Sequence, residues 1–294
     1  MDEGLHMILV TGATGSIGSH LVRKLQELQV PFKALVRDPG KGRALGCPYV
    51  VGDFDDPGSV AAALVGVDQV LLNGGGAVPT ADGMPQPMVA QQKTVIDLAV
   101  RAGVGSIVKV SVWHAHRGGK LAEGAHWEIE QHLKAAGLEW TLLQPSGFMQ
   151  NFITGAGTFS DDGSLIAPAT DAPVSYIDCY DIAACAAALL AEPRGAGRTF
   201  VLTGPEALTM SEVAGHLSTA LGRPVDVIGL DGDDMAARLR AQGVPARFAA
   251  DVAVLWAEVG AGSLAATTHE VKHLTGREPR TFTEFLTANR SAFG

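Results

Sequence analysis

The residues best suited to bind a charged ligand are three glycines at intervals of three, Gly12, Gly15 and Gly18. They follow the apolar run of residues 7–10, typical of a buried parallel strand, and precede a helical pattern over residues 20–29. In such a turn the backbone can approach a pyrophosphate, and the helix N-terminus offers unpaired N–H groups. A dinucleotide site is therefore predicted; a plain tight turn is the alternative. The predicted contacts are Gly12, Thr14, Gly15, Ser16, Ile17 and Gly18.

A basic residue ends the next apolar run, residues 32–36. Arg37 follows that run directly, with Lys41 and Arg43 a few residues further on. In a dinucleotide-binding unit this position faces the adenosine ribose, where an acid suits the 2′-hydroxyl and an arginine suits a 2′-phosphate. Arg37 therefore predicts NADPH (NADP+) rather than NADH as the cofactor, although a solvated basic turn would have the same composition.

Two further strand ends carry residues that suit the same ligand. An acidic residue follows the apolar pair at residues 50–51, where its carboxylate could accept a hydrogen bond from the adenine amino group or cap a turn. Small and amide residues follow residues 67–72 and would let a cofactor approach the backbone closely. The predicted cofactor contacts at these two ends are Asp53, Phe54, Asn73, Gly74 and Gly75.

A histidine and a glutamate four residues apart could carry acid–base chemistry. His126 and Glu130 would lie on one face of the helix predicted over residues 126–136. An imidazole with an ordinary pKa of about 6.5 can donate a proton near neutral pH, which makes His126 a candidate general acid. A surface histidine that pairs with Glu130 explains the same spacing equally well.

Two more histidines, His114 and His116, follow the apolar run of residues 106–112. On a strand both rings would point to one side, as a metal site requires, but the sequence offers no clear third ligand. We therefore predict no metal and place His114 in a substrate cavity. Apolar and aromatic residues near the strand ends would line that cavity, and core packing explains each of them equally well. The predicted substrate contacts are Trp113, His114, Met149 and Phe152.

Composition restricts the class of protein. The chain has 294 residues and a formal net charge of -9, which argues against a general nucleic-acid surface. Its three cysteines form no C-x-x-C pair, so neither a disulfide framework nor a zinc site is predicted. No apolar run reaches membrane length, and the first residues lack the shape of a signal peptide. We expect a soluble cytoplasmic protein, a monomer or homodimer, whose partner is a small hydrophobic aromatic substrate.

The elements that must position these residues alternate between strand and helix as far as residue 144. This alternation predicts an α/β fold with a doubly wound parallel Rossmann sheet. The loop of residues 77–87 is interpreted either as a lid or as a passive surface loop. After residue 150 the alternation ends. We predict a dinucleotide-binding domain over residues 1–150, which also receives roughly 174–203, and a smaller C-terminal substrate-binding domain, built from insertions, over 151–173 and 204–294.

Motifs spread over the chain carry a family resemblance. They are Thr11-Gly-Ala-Thr-Gly-Ser-Ile-Gly18, Gly52-Asp53, Gly137-Leu-Glu-Trp-Thr-Leu-Leu-Gln-Pro-Ser-Gly-Phe-Met-Gln-Asn151, Leu202-Thr-Gly-Pro-Glu-Ala-Leu-Thr209 and Leu274-Thr-Gly-Arg-Glu-Pro-Arg-Thr-Phe-Thr-Glu-Phe285. Together they resemble the NmrA-like, NAD(P)-binding atypical short-chain dehydrogenases. The resemblance implies a Rossmann domain with a small second domain, and a nicotinamide near the turn at Pro145. It adds Pro145, Ser146 and Phe148 to the predicted cofactor contacts.

The residues that this superfamily uses for catalysis are only partly present. Most members use a serine together with a tyrosine and a lysine spaced Y-x-x-x-K, but none of the three tyrosines here has a lysine four residues on. Ser111 matches the family serine and is predicted to contact cofactor and substrate carbonyl; a hydroxyl bonded to backbone is the alternative. Alignment on Glu130 places His126 at the lysine position and Ala122 at the tyrosine position, and His126 could equally replace the tyrosine. The predicted catalytic residues are Ser111 and His126.

The resemblance and these residues together predict an NADPH-dependent reductase that transfers hydride to a ketone or quinone of a hydrophobic, polycyclic aromatic natural product. Ketoreductases of the simocyclinone angucyclinone type, from antibiotic biosynthesis, are similar proteins of this kind. Protonation would come from His126, Ser111, water or a substrate hydroxyl. The alternative is an NmrA-type redox sensor that binds NADP(H) without catalysis, which the missing tyrosine and lysine fit directly. An isomerase or epimerase would need the same tyrosine.

Overall fold

Short strands and the helices between them form most of the chain. The computed structural model describes residues 6–80, 84–154, 159–192 and 194–293. The strands are β1 (Ile8–Val10), β2 (Phe32–Val36), β3 (Tyr49–Val51), β4 (Gln69–Leu72), β5 (Ser106–Val110), β6 (Glu139–Pro145), β7 (Leu165–Pro168), β8 (Arg198–Leu202) and β9 (Val227–Leu230). The helices are α1 (Ser16–Glu27), α2 (Pro39–Ala44), α3 (Pro57–Ala63), α4 (Pro87–Ala102), α5 (Leu121–Ala135), α6 (Asn151–Thr154), α7 (Cys179–Ala191), α8 (Met210–Leu221), α9 (Gly232–Ala241), α10 (Ala246–Gly260), α11 (Glu270–Thr275) and α12 (Phe282–Ala288).

Seven strands of the described residues form one sheet, in the order β3-β2-β1-β4-β5-β6-β8. β1 pairs in parallel with β2 and β4, and β5 pairs in parallel with β4 and β6. The order of the strands changes direction between β1 and β4, which is the switch point of a doubly wound sheet. This topology confirms the predicted parallel Rossmann sheet. β7 and β9 pair in parallel with each other in a separate sheet.

A hydrophobic core surrounds the central strands. β1 and β4 are buried along their whole length, as strands covered on both faces are. Leu9, Val70 and Ile107 contribute fully buried side chains from β1, β4 and β5, and Ile96 and Ile129 do so from α4 and α5. Each such side chain contributes about 1.5–3 kcal/mol on burial. The packing therefore fixes the positions of the carboxyl ends of these strands.

Two helices near the predicted site begin earlier than hydrophobic periodicity predicts. α1 begins at Ser16 and α5 at Leu121, whereas the pattern predicts helices over residues 20–29 and 126–136. The first turns of both helices consist mostly of glycine, alanine and polar residues, so an apolar pattern does not reveal them. As a result, His126 lies in the second turn of α5 rather than at its start.

The chain divides into two compact units. The first comprises Met1–Ala77, Pro85–Gln144 and Ile182–Val201, and the second comprises Val78–Met84, Pro145–Asp181 and Leu202–Gly294. The predicted domain boundaries differ from this division, and they stay a prediction. They place residues 78–84, 145–150, 174–181 and 202–203 in the first domain instead. Residues 81–83 of the loop interpreted as a lid lie outside the described residues. Among the described helices, none has the length and apolar character needed to cross a membrane.

The second unit has a core of its own. The ring of Phe152 packs edge to face against the rings of Tyr176 and Phe282, with centroid distances of 5.1 and 5.3 Å. Beside this core, Arg280 Nη1 donates to the buried carboxylate of Asp178 at 3.0 Å. α8 and α12 both begin with a capping box, in which a threonine and a glutamate satisfy each other's backbone N–H groups.

Candidate active site

The glycine turn joins β1 to α1 and lies against the end of β4. Gly12 has a φ of +61°, which glycine adopts without strain, and a Cβ there would come within 2.8 Å of the Asn73 carbonyl oxygen. Gly18 has no room for a Cβ, because the Gly12 carbonyl oxygen and the Ala13 backbone lie too close. Gly15 occupies the N-cap position of α1 without a side-chain cap. In this described part of the chain, the first N–H groups of α1 are therefore available to an anion.

Thr11 holds the ends of β1 and β4 together, and reasoning from the sequence missed it. Its fully buried Oγ1 lies 2.9 and 2.8 Å from the carbonyl oxygens of Leu71 and Asn73. The same oxygen accepts a hydrogen bond from the Asn73 N–H at 2.8 Å. These contacts place Asn73 beside Gly12, so two of the strand ends predicted to bind the cofactor meet. A polar residue that ends a wholly apolar strand is the signal that could have identified Thr11.

The remaining predicted contacts near the turn differ in exposure. Thr14 and Ser16 are exposed. The side chain of Ile17 is only 5% exposed, so its backbone is the part that could face a ligand. A Cβ at Gly75 would meet no atom within 4 Å, which indicates open space beside the end of β4. That these residues contact the cofactor stays a prediction.

Arg37 and Asp53 follow neighbouring strands. β2 and β3 pair in parallel with Val36 opposite Val51, so both residues lie at the same edge of the sheet. Arg37 is exposed. Asp53 is half-buried, and its Oδ1 accepts a hydrogen bond from the Asp55 N–H at 3.1 Å. Asp53 therefore stabilises a turn, and its contact with adenine, like that of Arg37 with a 2′-phosphate, stays a prediction.

A buried amide connects the end of β4 with the interior. A Cβ at Gly74 would come within 3.0 Å of Gln92 Nε2 and 3.6 Å of Phe54 Cε2. Gln92 lies on α4 and is 1% exposed. Its Oε1 accepts a hydrogen bond from Lys109 Nζ at 2.9 Å. The loop after β4 therefore packs against a side chain that also binds a buried charge.

Lys109 of β5 is fully buried, and reasoning from the sequence missed it as well. Its Nζ lies 2.9 Å from Gln92 Oε1, 3.0 Å from the Val110 carbonyl oxygen and 2.9 Å from His126 Nδ1. Burial lowers the pKa of Lys109 to about 7, and the nearby Glu130 carboxylate opposes this shift. A lysine within the apolar run Ser-Ile-Val-Lys-Val was the available signal, because a charge in a buried strand requires partners.

His126 of α5 is 8% exposed, so it is not the surface histidine of the alternative interpretation. Burial, and secondarily the charge of Lys109, lower the pKa of His126 well below its usual value of about 6.5. The imidazole is therefore neutral near pH 7. It can act as an acid only by passing on its single ring hydrogen.

Glu130 bonds to Ser111 rather than to His126. Ser111 Oγ donates to Glu130 Oε1 at 2.5 Å, and Gln144 Nε2 donates to the same oxygen at 2.9 Å. Ser111 and Glu130 are both 2% exposed. A hydroxyl has one hydrogen, so in this arrangement Ser111 can accept from a ligand but cannot also donate to a substrate carbonyl.

A pair of aromatic rings follows Ser111 along the chain. The rings of Trp113 and His114 stack with centroids 4.7 Å apart and 18° between their planes. His114 has a φ of +62°, an uncommon conformation for a residue with a side chain. The Nδ1 atom of His116 lies 2.8 Å from the His114 carbonyl oxygen. Within the described ranges, no three His, Cys, Asp or Glu side chains are arranged to hold a metal ion.

The other predicted cofactor contacts lie in the second unit. The Ser146 N–H donates to the Leu202 carbonyl oxygen at 2.9 Å, which continues strand pairing just beyond Pro145. Phe148 forms a parallel bridge with Ile177. Backbone pairing thus determines the course of this turn, and the contacts of Pro145, Ser146 and Phe148 with a cofactor stay predictions.

Two residues predicted to contact substrate belong to the core of the second unit. Met149 is 1% exposed and Phe152 is 3% exposed. The short helix α6 turns Phe152 toward Phe282, against which it packs. Packing, the alternative interpretation given above, accounts for both side chains in this structure, and a substrate contact by either stays a prediction.

Comparison with known proteins points to one family. The sequence pattern of the NmrA-like family matches residues 5–286 of this chain. The chain is 36% identical to an NAD(P)H azoreductase from Xenophilus azovorans over 297 residues, which covers 98% of this chain and 99% of the relative. It is 31% identical to quinone oxidoreductase 2 from Escherichia coli over 245 residues, which covers 81% of this chain and 83% of the relative.

A solved structure agrees with these sequence matches. The NADPH-dependent quinone oxidoreductase from Escherichia coli, in complex with NADPH, superimposes with a TM-score of 0.81 at 28% identity. The match covers 96% of this chain and 99% of that chain. The likeness therefore extends over both compact units of the chain and is not limited to the glycine turn.

Proposed function

We propose that this chain, which belongs to the NmrA-like family, is an NADPH-dependent reductase that passes hydride to a quinone or another conjugated aromatic acceptor. The predicted class, an NAD(P)H-dependent oxidoreductase, is confirmed by relatives named for that activity. The predicted nicotinamide cofactor is confirmed by the azoreductase and by the related structure with bound NADPH.

The observation that carries the proposal is the meeting of three strand ends in the first unit. β1, β4 and β5 pair in parallel, so Gly12, Asn73 and Ser111 all follow strands that end at one edge of the sheet. Open α/β sheets bind their ligands at this edge, at the switch point of the strand order. The residues present fit a dinucleotide, because the turn is glycine-lined and the space beside Gly75 is open.

The chain and its cofactor would divide the chemistry between them. NADPH, when bound, supplies the hydride. The N–H groups at the start of α1 would hold the pyrophosphate, and Arg37 would hold the 2′-phosphate. The buried groups around Ser111 and His126 would supply the proton that the carbonyl oxygen takes up when the carbonyl is reduced.

A planar aromatic acceptor suits the stacked rings of Trp113 and His114. Aromatic ligands pack on such rings in offset or edge-to-face geometry. The names of the azoreductase and quinone oxidoreductase relatives support a conjugated acceptor. More specifically, we propose that the substrate is a polycyclic aromatic ketone of natural-product biosynthesis, as a ketoreductase would use.

Oxidation of NADPH tests the proposal. The purified protein is mixed with quinones, azo dyes and polycyclic aromatic ketones, and loss of the reduced nicotinamide absorbance is followed. We expect turnover with at least one aromatic acceptor. His126→Phe should slow ketone reduction by about 100-fold or more, the usual contribution of a general acid. His132→Phe is the matched control, because His132 lies on the same helix but pairs with Asp97. No turnover with any acceptor would contradict the reductase proposal.

A redox sensor is the second candidate function, favoured by the absence of a Y-x-x-x-K pair from the sequence. A sensor would bind NADP(H) without reducing an acceptor. Calorimetric binding of NADPH, together with no turnover across the panel, would support this candidate. Turnover with any quinone or ketone would exclude it.

A further inference from the structure

The charge of Lys109 and the tautomer of His126 depend on each other. In the described part of the chain, Lys109 Nζ has three neighbours within hydrogen-bond distance. Gln92 Oε1 and the Val110 carbonyl oxygen can only accept, whereas His126 Nδ1 can accept or donate. An ammonium group has one hydrogen for each of the three neighbours. His126 Nδ1 then accepts, and the hydrogen of the neutral ring lies on Nε2.

A neutral lysine reverses these roles. An amine has two hydrogens and one lone pair. Gln92 and Val110 take both hydrogens because their oxygens cannot donate, so the lone pair of Lys109 is left for His126 Nδ1, which must then carry the ring hydrogen. Nε2 is without a hydrogen in that state. The two states differ by one proton, and that proton is gained or lost at His126 Nε2 although the charge resides on Lys109.

We propose that Lys109 and His126 together form the general acid of the reaction, a role that rests on the reductase function proposed above. A substrate oxygen that has gained negative charge takes the hydrogen of His126 Nε2, so an O–H bond forms as an N–H bond breaks. His126 Nδ1 takes a hydrogen from the Lys109 ammonium in the same step. A neutral imidazole and a neutral amine result. Solvent then returns one proton to the pair through Nε2.

The surroundings favour this arrangement over an imidazolium ion. Burial and the Lys109 charge hold the pKa of His126 well below its usual range. Burial brings the pKa of Lys109 to about 7, close to the value that suits an acid at neutral pH. Among the described residues, the charged group that acts on Lys109 is Glu130, one turn along α5 from His126. Lys134 Nζ lies 3.7 Å from that carboxylate. The helix α4 and the strand β6 contribute neutral amides.

The tautomer of His126 in the protein without cofactor tests the pair directly. Hydrogen–nitrogen correlation spectra of protein labelled at histidine nitrogens report which ring nitrogen carries the hydrogen. His126 is identified among the nine histidines as the signal missing from His126→Gln. We expect the hydrogen on Nε2 below pH about 7 and on Nδ1 above it, without an imidazolium form. An imidazolium signal on either side of pH about 7, or the same tautomer on both sides, would overturn the proposal.

Variants show whether Lys109 causes the tautomer change. Lys109→Met removes the charge but keeps a long side chain. Lys93→Met is the matched control, because Lys93 is next to Gln92 on α4 but pairs with Glu128 at 3.1 Å. We expect the change of tautomer to disappear in Lys109→Met and to persist in Lys93→Met. Its persistence in Lys109→Met would overturn the proposal. The wild-type spectra alone still decide the question if Lys109→Met does not fold.

Turnover separates this proposal from the proposed function. Wild-type reduction of a ketone should fall about tenfold per pH unit above the pKa of the pair, because the acid is then deprotonated. Lys109→Met should lower turnover about 100-fold or more and remove this dependence. Turnover without a tautomer change would contradict the proposed acid pair but not the proposed reductase function. A tautomer change without any turnover would contradict the reductase function and, with it, the catalytic use of the pair.

Discussion

Lys109 and His126 are buried ionisable side chains, and both favour their neutral forms more than they would in water. Such groups are acceptable in an interior when their polar atoms have hydrogen-bond partners. Lys109 has three, and the carboxylate of Glu130 receives hydrogen bonds from Ser111 and Gln144. Since the sequence has no Y-x-x-x-K pair, the proposal above assigns the proton donor near the end of β5 to Lys109 and His126.

Arg37 is the single residue that is predicted to determine the preference for NADPH over NADH. Arg37→Ala is expected to weaken NADPH binding by about 10- to 100-fold, because a hydrogen bond to a charged group contributes about 1.5–3 kcal/mol. NADH binding should change little, since NADH has no 2′-phosphate. Isothermal titration of both cofactors measures the two effects. Arg101→Ala, in the last turn of α4, is the control. Equal losses for both cofactors would show that Arg37 does not contact the 2′-phosphate.

At the scale of elements, the turn between β1 and α1 is held by close backbone packing. A Cβ at Gly18 would overlap the Gly12 carbonyl oxygen, and a Cβ at Gly12 would come within 2.8 Å of the Asn73 carbonyl oxygen, so neither position accepts a side chain. Thr11 bonds the same turn to the end of β4. The position of the α1 N-terminus, and so of the predicted pyrophosphate site, depends on these contacts.

The same substitution at two glycines should change stability in opposite directions. Gly18→Ala is expected to lower the free energy of unfolding by about 1–3 kcal/mol, because its Cβ would overlap the Gly12 carbonyl oxygen. Gly215→Ala should raise it by about 0.5–1 kcal/mol, since Gly215 is inside α8 and a Cβ there meets no atom within 4 Å. Urea unfolding measures both values. A destabilised Gly215→Ala would show that helix propensity and free space do not explain the difference.

At the scale of the whole molecule, each compact unit has its own hydrophobic core. The first unit contains the glycine turn together with Lys109 and His126, and the second contains Pro145, Ser146 and Phe148, the predicted cofactor contacts that the family resemblance adds. The expected cytoplasmic location and the expected monomer or homodimer stay predictions, and light scattering of the purified protein tests the latter.

Stability of the whole chain should depend on the ionisation of Lys109. Its pKa is about 7 in the folded chain and about 10.4 in an unfolded one. Between these values the unfolded state binds more protons, so the contribution of Lys109 to the free energy of unfolding rises with pH by up to about 1.4 kcal/mol per unit. Lys109→Met should lack this rise between pH about 7 and 9, and Lys93→Met should retain it. Chemical unfolding between pH about 7 and 9 measures the free energy of unfolding of both variants. If the two variants show the same dependence on pH, the lowered pKa of Lys109 is contradicted.

The alternation of strands and helices, the glycine turn and the family motifs were enough to predict the parallel sheet, the nicotinamide cofactor and the class of reaction. Each strand, helix and motif in this set depends on the order and spacing of residues within its own short segment, so it can be identified without knowledge of tertiary contacts. The predicted ends of the second and fourth strands, at Val36 and Leu72, agree with the structure. The early starts of α1 and α5 were not predicted, since their first turns carry no apolar pattern.

Only the tertiary structure decided which polar groups meet in the interior. Lys109, Gln92 and His126 come from three different elements, and their contacts depend on how α4 and α5 pack against β5. Packing also determined that Glu130 accepts a hydrogen bond from Ser111 and not from His126, and it placed Met149 in a core. Spacing along the chain determines which face of an element a residue occupies. The residue that it contacts on that face belongs to a distant segment of the chain. The contact between Lys109 and His126 therefore could not be predicted from the sequence alone.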